Sequence, residues 1–121
     1  MASHNELGQK GEKIAEKHLL QKGYEILDRN FRFKRDEIDL IAAIGDQIVF
    51  VEVKARMSEK YGNPKESVTF NKQKKISIAA QYYLKERKKM DSRARFDVVA
   101  INIINGKLSI EVLKNAFEYA R

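Results

Sequence analysis

Apolar residues recur along the chain in two rhythms, one helical and one alternating. Leu7, Gly11, Ile14, Ala15, His18 and Leu19 fall at helical spacing. They predict an amphipathic helix capped at Ser3 or Asn5, running to about Lys22 and stopped by Gly23. Glu12 lies three and seven residues before Ala15 and Leu19, so it projects from the edge of the buried face. Three β-rich stretches follow. Tyr24–Phe33 ends at the polar turn Lys34-Arg35-Asp36, and Glu37–Ile44 and Gln47–Lys54 flank Gly45-Asp46, a two-residue hairpin signal. That turn sets Ile44 against Gln47 and fixes the pairing beyond it. One face of the hairpin then carries Ile38, Leu40, Ala42 and Ile44 with Val49, Val51 and Val53. The other carries Glu37, Asp39, Ile41 and Ala43 with Ile48, Phe50, Glu52 and Lys54.

Periodicity lapses over Ala55–Val68, which contains Gly62-Asn63-Pro64 and reads as a loop of the length that is usually functional or disordered. Helical spacing resumes after Thr69 or Asn71, either a fair cap, with Ile76, Ala79, Ala80, Tyr83 and Leu84 as the buried stripe. Lys74, Gln81, Lys85 and Lys88 fall on the solvent side, and the helix runs out in the basic segment Lys85–Arg95. An apolar strand, Arg95–Ile104, turns at Asn105-Gly106 into a last strand, Lys107–Leu113. No repeat or linker divides the chain, so residues 1–121 read as one domain. The order α-β-β-β-α-β-β describes an α/β fold with a mixed sheet flanked by helices. A right-handed crossover through the second helix sets strand 95–104 parallel to strand 47–54.

Composition narrows the chemistry. The 121 residues include no cysteine and two histidines, His4 and His18. Disulfides, thiolate zinc sites and cysteine nucleophiles are excluded, and catalysis would have to run on carboxylates and lysines. The cysteine-free composition suits a reducing cytoplasm. No apolar run is long enough to span a membrane, and the N-terminal residues lack the apolar core of a signal peptide. The net charge of +7 is unevenly spread: residues 54–95 hold 13 Lys/Arg against 4 Asp/Glu, and the remainder 11 against 13. A basic segment of this kind is either a solvated helix face or a surface for a polyanion.

The hairpin pairing sets Asp39 directly opposite Glu52, and Glu37 opposite Lys54. Like charges facing each other on a hairpin cost stability. A hard divalent cation such as Mg²⁺ or Mn²⁺ would repay that cost by taking carboxylate oxygens as ligands. Lys54, on the same face as Glu52, could then reach a phosphate oxygen or the attacking water. This is equipment for metal-assisted phosphodiester hydrolysis. The plainer alternative is a Glu37–Lys54 cross-strand salt bridge, with Asp39 or Glu52 paired to an arginine.

Glu37-Ile38-Asp39-Leu40-Ile41 followed by Val51-Glu52-Val53-Lys54 resembles the core of the PD-(D/E)xK nuclease superfamily. Within it the chain is most similar to the small bacterial YraN-type endonuclease-like proteins, relatives of Holliday-junction resolvases. The resemblance spans nearly the whole chain. It takes in Gly11-Glu12, Gly23-Tyr24, Arg29-Asn30, Tyr61-Gly62, Ser67-Val68-Thr69, Lys72-Gln73 and Arg95-Phe96-Asp97-Val98-Val99. Ile38 stands where the superfamily carries proline. The resemblance implies a restriction-endonuclease-like αβββαβ core plus one C-terminal strand. It also implies a Mg²⁺- or Mn²⁺-dependent endonuclease acting on DNA, branched DNA included. Asp39, Glu52 and the Val53 carbonyl would be metal ligands, Glu12 would reach the metal shell, and Lys54 would be the catalytic lysine.

Nucleic acid would be held by Arg56, Tyr61, Lys72, Gln73, Lys74 and Lys75, with Lys72 and Gln73 near a helix N-terminus that favours phosphate. Tyr61 could stack on a base or anchor its loop. Asp97 is expected to pair with Arg95, and His18 to pack. A homodimer would suit an enzyme that cuts two strands. The competing function is a nucleic-acid-binding protein that keeps the fold without the activity.

Overall fold

The computed structural model describes residues 4–57 and 68–119, and side chains from residue 7 onward. Two helices sandwich a five-stranded sheet of order β1-β2-β3-β4-β5. The elements are α1 (His4–Gln21), β1 (Glu25–Phe33), β2 (Asp36–Ile44), β3 (Gln47–Arg56), α2 (Phe70–Glu86), β4 (Arg93–Ile104) and β5 (Lys107–Phe117). β3 and β4 are parallel and the other neighbours antiparallel, so the sheet is mixed and the crossover runs through α2. This is the expected α/β fold, consistent with a restriction-endonuclease-like αβββαβ core and one further strand. No helix of the described residues is long and apolar enough to cross a membrane.

Each helix closes one face of the sheet. Ala15 and Leu19 of α1 bury Leu40, Ala42, Val49, Val51, Val99 and Ile101. On the opposite face Ile76, Ala79, Ala80, Tyr83 and Leu84 of α2 cover Ile41, Ile48, Phe50, Phe96 and Val98. The stripe expected for the second helix is therefore the one that packs, with Ser77 added because its hydroxyl donates to the Gln73 carbonyl at 2.7 Å. Thr69 is the cap, its hydroxyl accepting the Lys72 N–H at 3.2 Å. α1 begins at His4, which leaves Asn5 inside the helix and Ser3 outside the described residues.

Strand ends differ from expectation for identifiable reasons. β3 continues to Arg56 because Ala55 and Arg56 pair with Ile101 and Asn102 of β4, so the loop begins later than Ala55. β5 runs on to Phe117 across an irregularity at Asp97, whose carboxylate accepts the Asn115 N–H at 2.9 Å.

The hairpin matters most. Its pairs run from Ile44–Gln47 to Leu40–Val51, as the turn predicts, and end there. The expected pairs Asp39–Glu52 and Glu37–Lys54 do not continue the ladder. Instead the Asp39 carboxylate accepts the Val53 N–H at 2.8 Å, taking a donor that a strand partner would have used. The same break turns Ile38 away from Leu40: Ile38 packs on the α2 side, not on the face of Leu40 and Ala42 expected for it.

α1 lies close to this break. A Cβ on Gly11 would stand 2.9 Å from Ala55 Cβ and 3.6 Å from Val53 Cγ1. The contact partner is a rigid β-carbon, so a side chain there pushes the helix off β3. Gly11→Val should cost about 2 kcal/mol of stability by overpacking, measured by urea unfolding. Unchanged stability would show that α1 can sit further out.

Candidate functional site

Four elements meet where the hairpin ladder stops, and each contributes a polar side chain. α1 brings Glu12, β1 brings Asn30, β2 brings Glu37 and Asp39, and β3 brings Glu52 and Lys54. Asn30 sits between the pairs Arg29–Leu40 and Phe31–Ile38, level with Asp39, in a left-handed conformation with φ 50°. Asparagine tolerates that region better than most residues. From there its side-chain amide donates both hydrogens, to Glu12 Oε1 and to Glu37 Oε1, each at 2.6 Å. Arg29 and Glu16, joined by a two-pronged ion pair, tie the same stretch of β1 to α1.

Carboxylate oxygens of Glu12, Glu37 and Asp39 all lie within 4.8 Å of one another. They line a cleft of about 550 Å³ with Gly8, Gln9, Asn30, Arg32 and Val53. Three hard oxygen donors facing an open cleft fit a divalent cation that keeps some of its waters. This cluster could bind a metal ion.

Glu52 stands on the other side of Asp39. It is 6% exposed, and its Oε1 lies 2.6 Å from Lys72 Nζ and 3.6 Å from Lys54 Nζ. A second cleft of about 330 Å³ is lined by three cations, Arg35, Lys72 and Lys75, and four carboxylates, Asp36, Glu37, Asp39 and Glu52. Glu37 and Asp39 thus form the wall shared by an acidic cleft and one of mixed charge.

The electrostatics follow from this arrangement. Burial pushes the Asp39 carboxyl up to about 7, and the neighbouring Glu52 charge adds to it. The Val53 N–H pulls the other way, Glu12 raises it further, and Lys72 lowers it. Among the described residues no lysine, arginine or histidine is within salt-bridge distance of Asp39. Burial lowers the Lys54 amine below the ordinary lysine range, helped by the nearby Lys72 ammonium and opposed by Glu52. Burial works against the Lys72 charge as well, but the Glu52 carboxylate outweighs it and holds Lys72 above its ordinary range. Two lysines sharing one carboxylate are thereby made unequal.

Of the expected ligand set, Glu12 and Asp39 converge, Val53 contributes its N–H to Asp39, and Glu52 engages lysines. Glu37 joins the carboxylates and bonds Asn30 and, at 3.4 Å, Arg32, and not the Lys54 with which the plainer alternative paired it. Glu37 as a cluster member and Asn30 as its clamp were not foreseen from hairpin pairing. An asparagine amid a β-rich run was the available signal, since asparagine is depleted in strands and tolerates left-handed backbone.

Residues expected at the polyanion surface have diverse partners. Lys72 lies on Glu52, Gln73 donates to the Val68 carbonyl at 2.9 Å, and Arg56 donates to Asn102 at 3.2 Å. Lys74 lies 5.1 Å from the Phe70 ring, Lys75 lines the second cleft, and Tyr61 falls outside the described residues. Asp97 is paired with Arg95, as expected, and His18 is half-buried.

Related proteins share this framework over nearly its full length. A UPF0102 protein of Rhodococcus opacus (strain B4) is 49% identical over 118 residues, covering 97% of this chain and 100% of the relative. One from Caldicellulosiruptor saccharolyticus is 47% identical over 114 residues, 93% of this chain and 97% of the relative. One from Geobacter metallireducens is 47% identical over 121 residues, 99% of each chain. The model of the uncharacterised protein family UPF0102 matches residues 11–101, which holds the carboxylate cluster and both lysines. The chain belongs to the UPF0102 family.

Proposed function

We propose that this protein is a divalent-metal-dependent nuclease of the PD-(D/E)xK type. It would hydrolyse phosphodiester bonds in DNA in the cytoplasm, with branched DNA among its substrates, as the resemblance to YraN-type proteins implies. The observation that carries the reading is the junction of two environments at one strand end. A carboxylate cluster that suits a hard cation adjoins a half-buried lysine whose amine is held below the ordinary lysine range.

Glu12, Glu37 and Asp39 would hold the ion, with Glu52 available once Lys72 moves off it. A bound Mg²⁺ or Mn²⁺ would supply positive charge against the scissile phosphate and acidify the attacking water. The protein's own part is then positional and protolytic. Lys54, losing its proton more readily than an ordinary lysine, accepts one from the water that attacks phosphorus. The phosphorus–oxygen bond to the leaving group would break, and the departing oxygen would take up a proton from solvent, yielding a phosphomonoester and a hydroxyl. Lys72, Lys75 and Arg35 bring positive charge to the same cleft.

A second reading has its own support. Lys72 already neutralises Glu52 at 2.6 Å, as a non-catalytic nucleic-acid-binding protein would use an ammonium in place of a cation. One assay separates the two. Incubation of the purified protein with supercoiled and four-way-junction DNA should give nicking with Mg²⁺ or Mn²⁺ and none with EDTA. Lys54→Met should lower the rate by about 10²-fold or more while leaving DNA binding in place. Binding without cleavage in any divalent ion would establish the second reading and remove the first.

A further inference from the structure

The outward face of α2 carries an exposed apolar ridge, seated at its Tyr82 end on Phe31 and Phe33 at the edge of the core. Phe70, Ile78 and Tyr82 are 60%, 53% and 43% exposed, and with Lys74 they follow one another at four-residue steps. The ridge climbs diagonally across the helix over about 18 Å. Both aromatic ends are built platforms. At one end Lys74 Nζ lies 5.1 Å from the centroid of the Phe70 ring. At the other, Tyr82 stacks on Phe33 with centroids 4.4 Å apart and planes inclined by 27°, and Lys34 Nζ lies 5.5 Å from the Phe33 centroid. Tyr82 is further restrained by Glu86, which takes its hydroxyl.

We infer that this ridge binds single-stranded nucleic acid, its exposed rings stacking on unpaired bases and its lysines meeting the phosphates. Flat exposed rings beside cations are what unstacked bases require, because every base offers a π-face and every linkage a negative charge. A duplex hides its base faces and has no use for the rings. Charge argues against a second copy of this chain as the occupant. Apart from Lys72, which is paired to Glu52, the helix bears Lys74, Lys75 and Lys85 against one acidic residue, Glu86, so two such faces would set like charges together. The ridge also leads toward the candidate site. Lys75 lies two turns before Tyr82 on the same side of the helix, about 10 Å away, and lines the cleft with Asp39 and Glu52. The inference rests on the nuclease reading only for what happens at that cleft, and there it specifies the substrate: DNA with an unpaired segment beside the scissile bond.

Binding is best read in EDTA, where cleavage plays no part. Fluorescence anisotropy would compare a labelled oligothymidylate with a duplex of equal length, for the wild-type chain and for Phe70→Ala, Tyr82→Ala and Ile78→Ser. The sites are exposed, and circular dichroism checks that the variants fold. The wild-type protein should prefer the single strand, and each aromatic variant should weaken that binding by about 10-fold with little change for duplex. Ile78→Ser, which removes apolar area but no ring, should change it far less. Equal single-strand affinity in wild type and both aromatic variants would overturn the inference. So would sedimentation showing a wild-type dimer that the same substitutions dissociate. Failure of the nuclease reading is distinguishable, since it would leave the single-strand preference intact and remove cleavage alone.

Discussion

Asp39→Asn should abolish divalent-ion-dependent cleavage and, in the absence of metal, stabilise the fold above pH 7. The two effects have one cause. Asp39 is held where its charge is costly: burial and the Glu52 carboxylate raise its pKa to about 7, and no cation pairs with it among the described residues. An unfolded chain releases the same proton near the ordinary aspartate value. Between those two values the folded protein binds a proton that the unfolded chain has lost, so stability falls as pH rises from about 4 through 7. Above 7 the penalty is complete. Asparagine carries no charge to bury, and its carboxamide oxygen still accepts the Val53 N–H. The variant should therefore melt at the same temperature as the wild type near pH 4, and at least about 5 °C higher at pH 8. Millimolar Mg²⁺ or Mn²⁺ should raise the wild-type melting temperature at pH 8 and leave that of the variant nearly unmoved. Scanning fluorimetry across pH, with and without metal, reads all of this. A variant less stable than wild type at pH 8 would mean that the carboxylate is structural.

Much of the fold was legible because it follows from periodicity. The two-residue turn at Gly45-Asp46 fixes five consecutive pairs of the hairpin, and the helical stripe Ile76–Leu84 is the one that packs. Legibility ended where a side chain replaced a backbone partner. Strand alternation assumes an unbroken ladder, and Asp39 breaks it by taking the Val53 N–H. That single substitution of partners reassigns Ile38 to the other face and gathers Glu37 with Glu12 and Asp39. Helical spacing puts Glu12 at the edge of the buried face, and mainly the resemblance makes it a candidate metal ligand. The physical ground for its position is the close approach of Gly11 to β3, which depends on a tertiary contact with Ala55. The engagement of Lys72 with Glu52 spans 20 residues and two elements, and no local pattern announces it.

Asp97 supplies the contrast that gives the Asp39 argument its force, and Asp97→Ala should be the most damaging substitution to stability among those considered. Both aspartates occupy breaks in a ladder and accept a backbone N–H there, Asp39 from Val53 and Asp97 from Asn115. They differ in compensation. Asp97 is 1% exposed and receives the Arg95 guanidinium, with Nε and Nη2 at 3.1–3.3 Å. Arg95 in turn donates to Gln47 at 2.7 Å and to the Tyr24 hydroxyl at 2.9 Å. This network joins β3, β4, β5 and Tyr24, the residue just before β1. Removing the carboxylate strands the Arg95 charge in a largely buried setting and leaves the Asn115 N–H without its acceptor. Breaking a buried pair in this way costs about 3–5 kcal/mol, a fall of roughly 10–20 °C in melting temperature. The loss should be as large with metal as without it. If Asp97→Ala melts within a few degrees of wild type, compensation by Arg95 does not distinguish the two aspartates. A large loss beside a stabilised Asp39→Asn would leave Asp39 as the half-buried aspartate whose charge the fold does not itself neutralise, the property expected of a metal ligand.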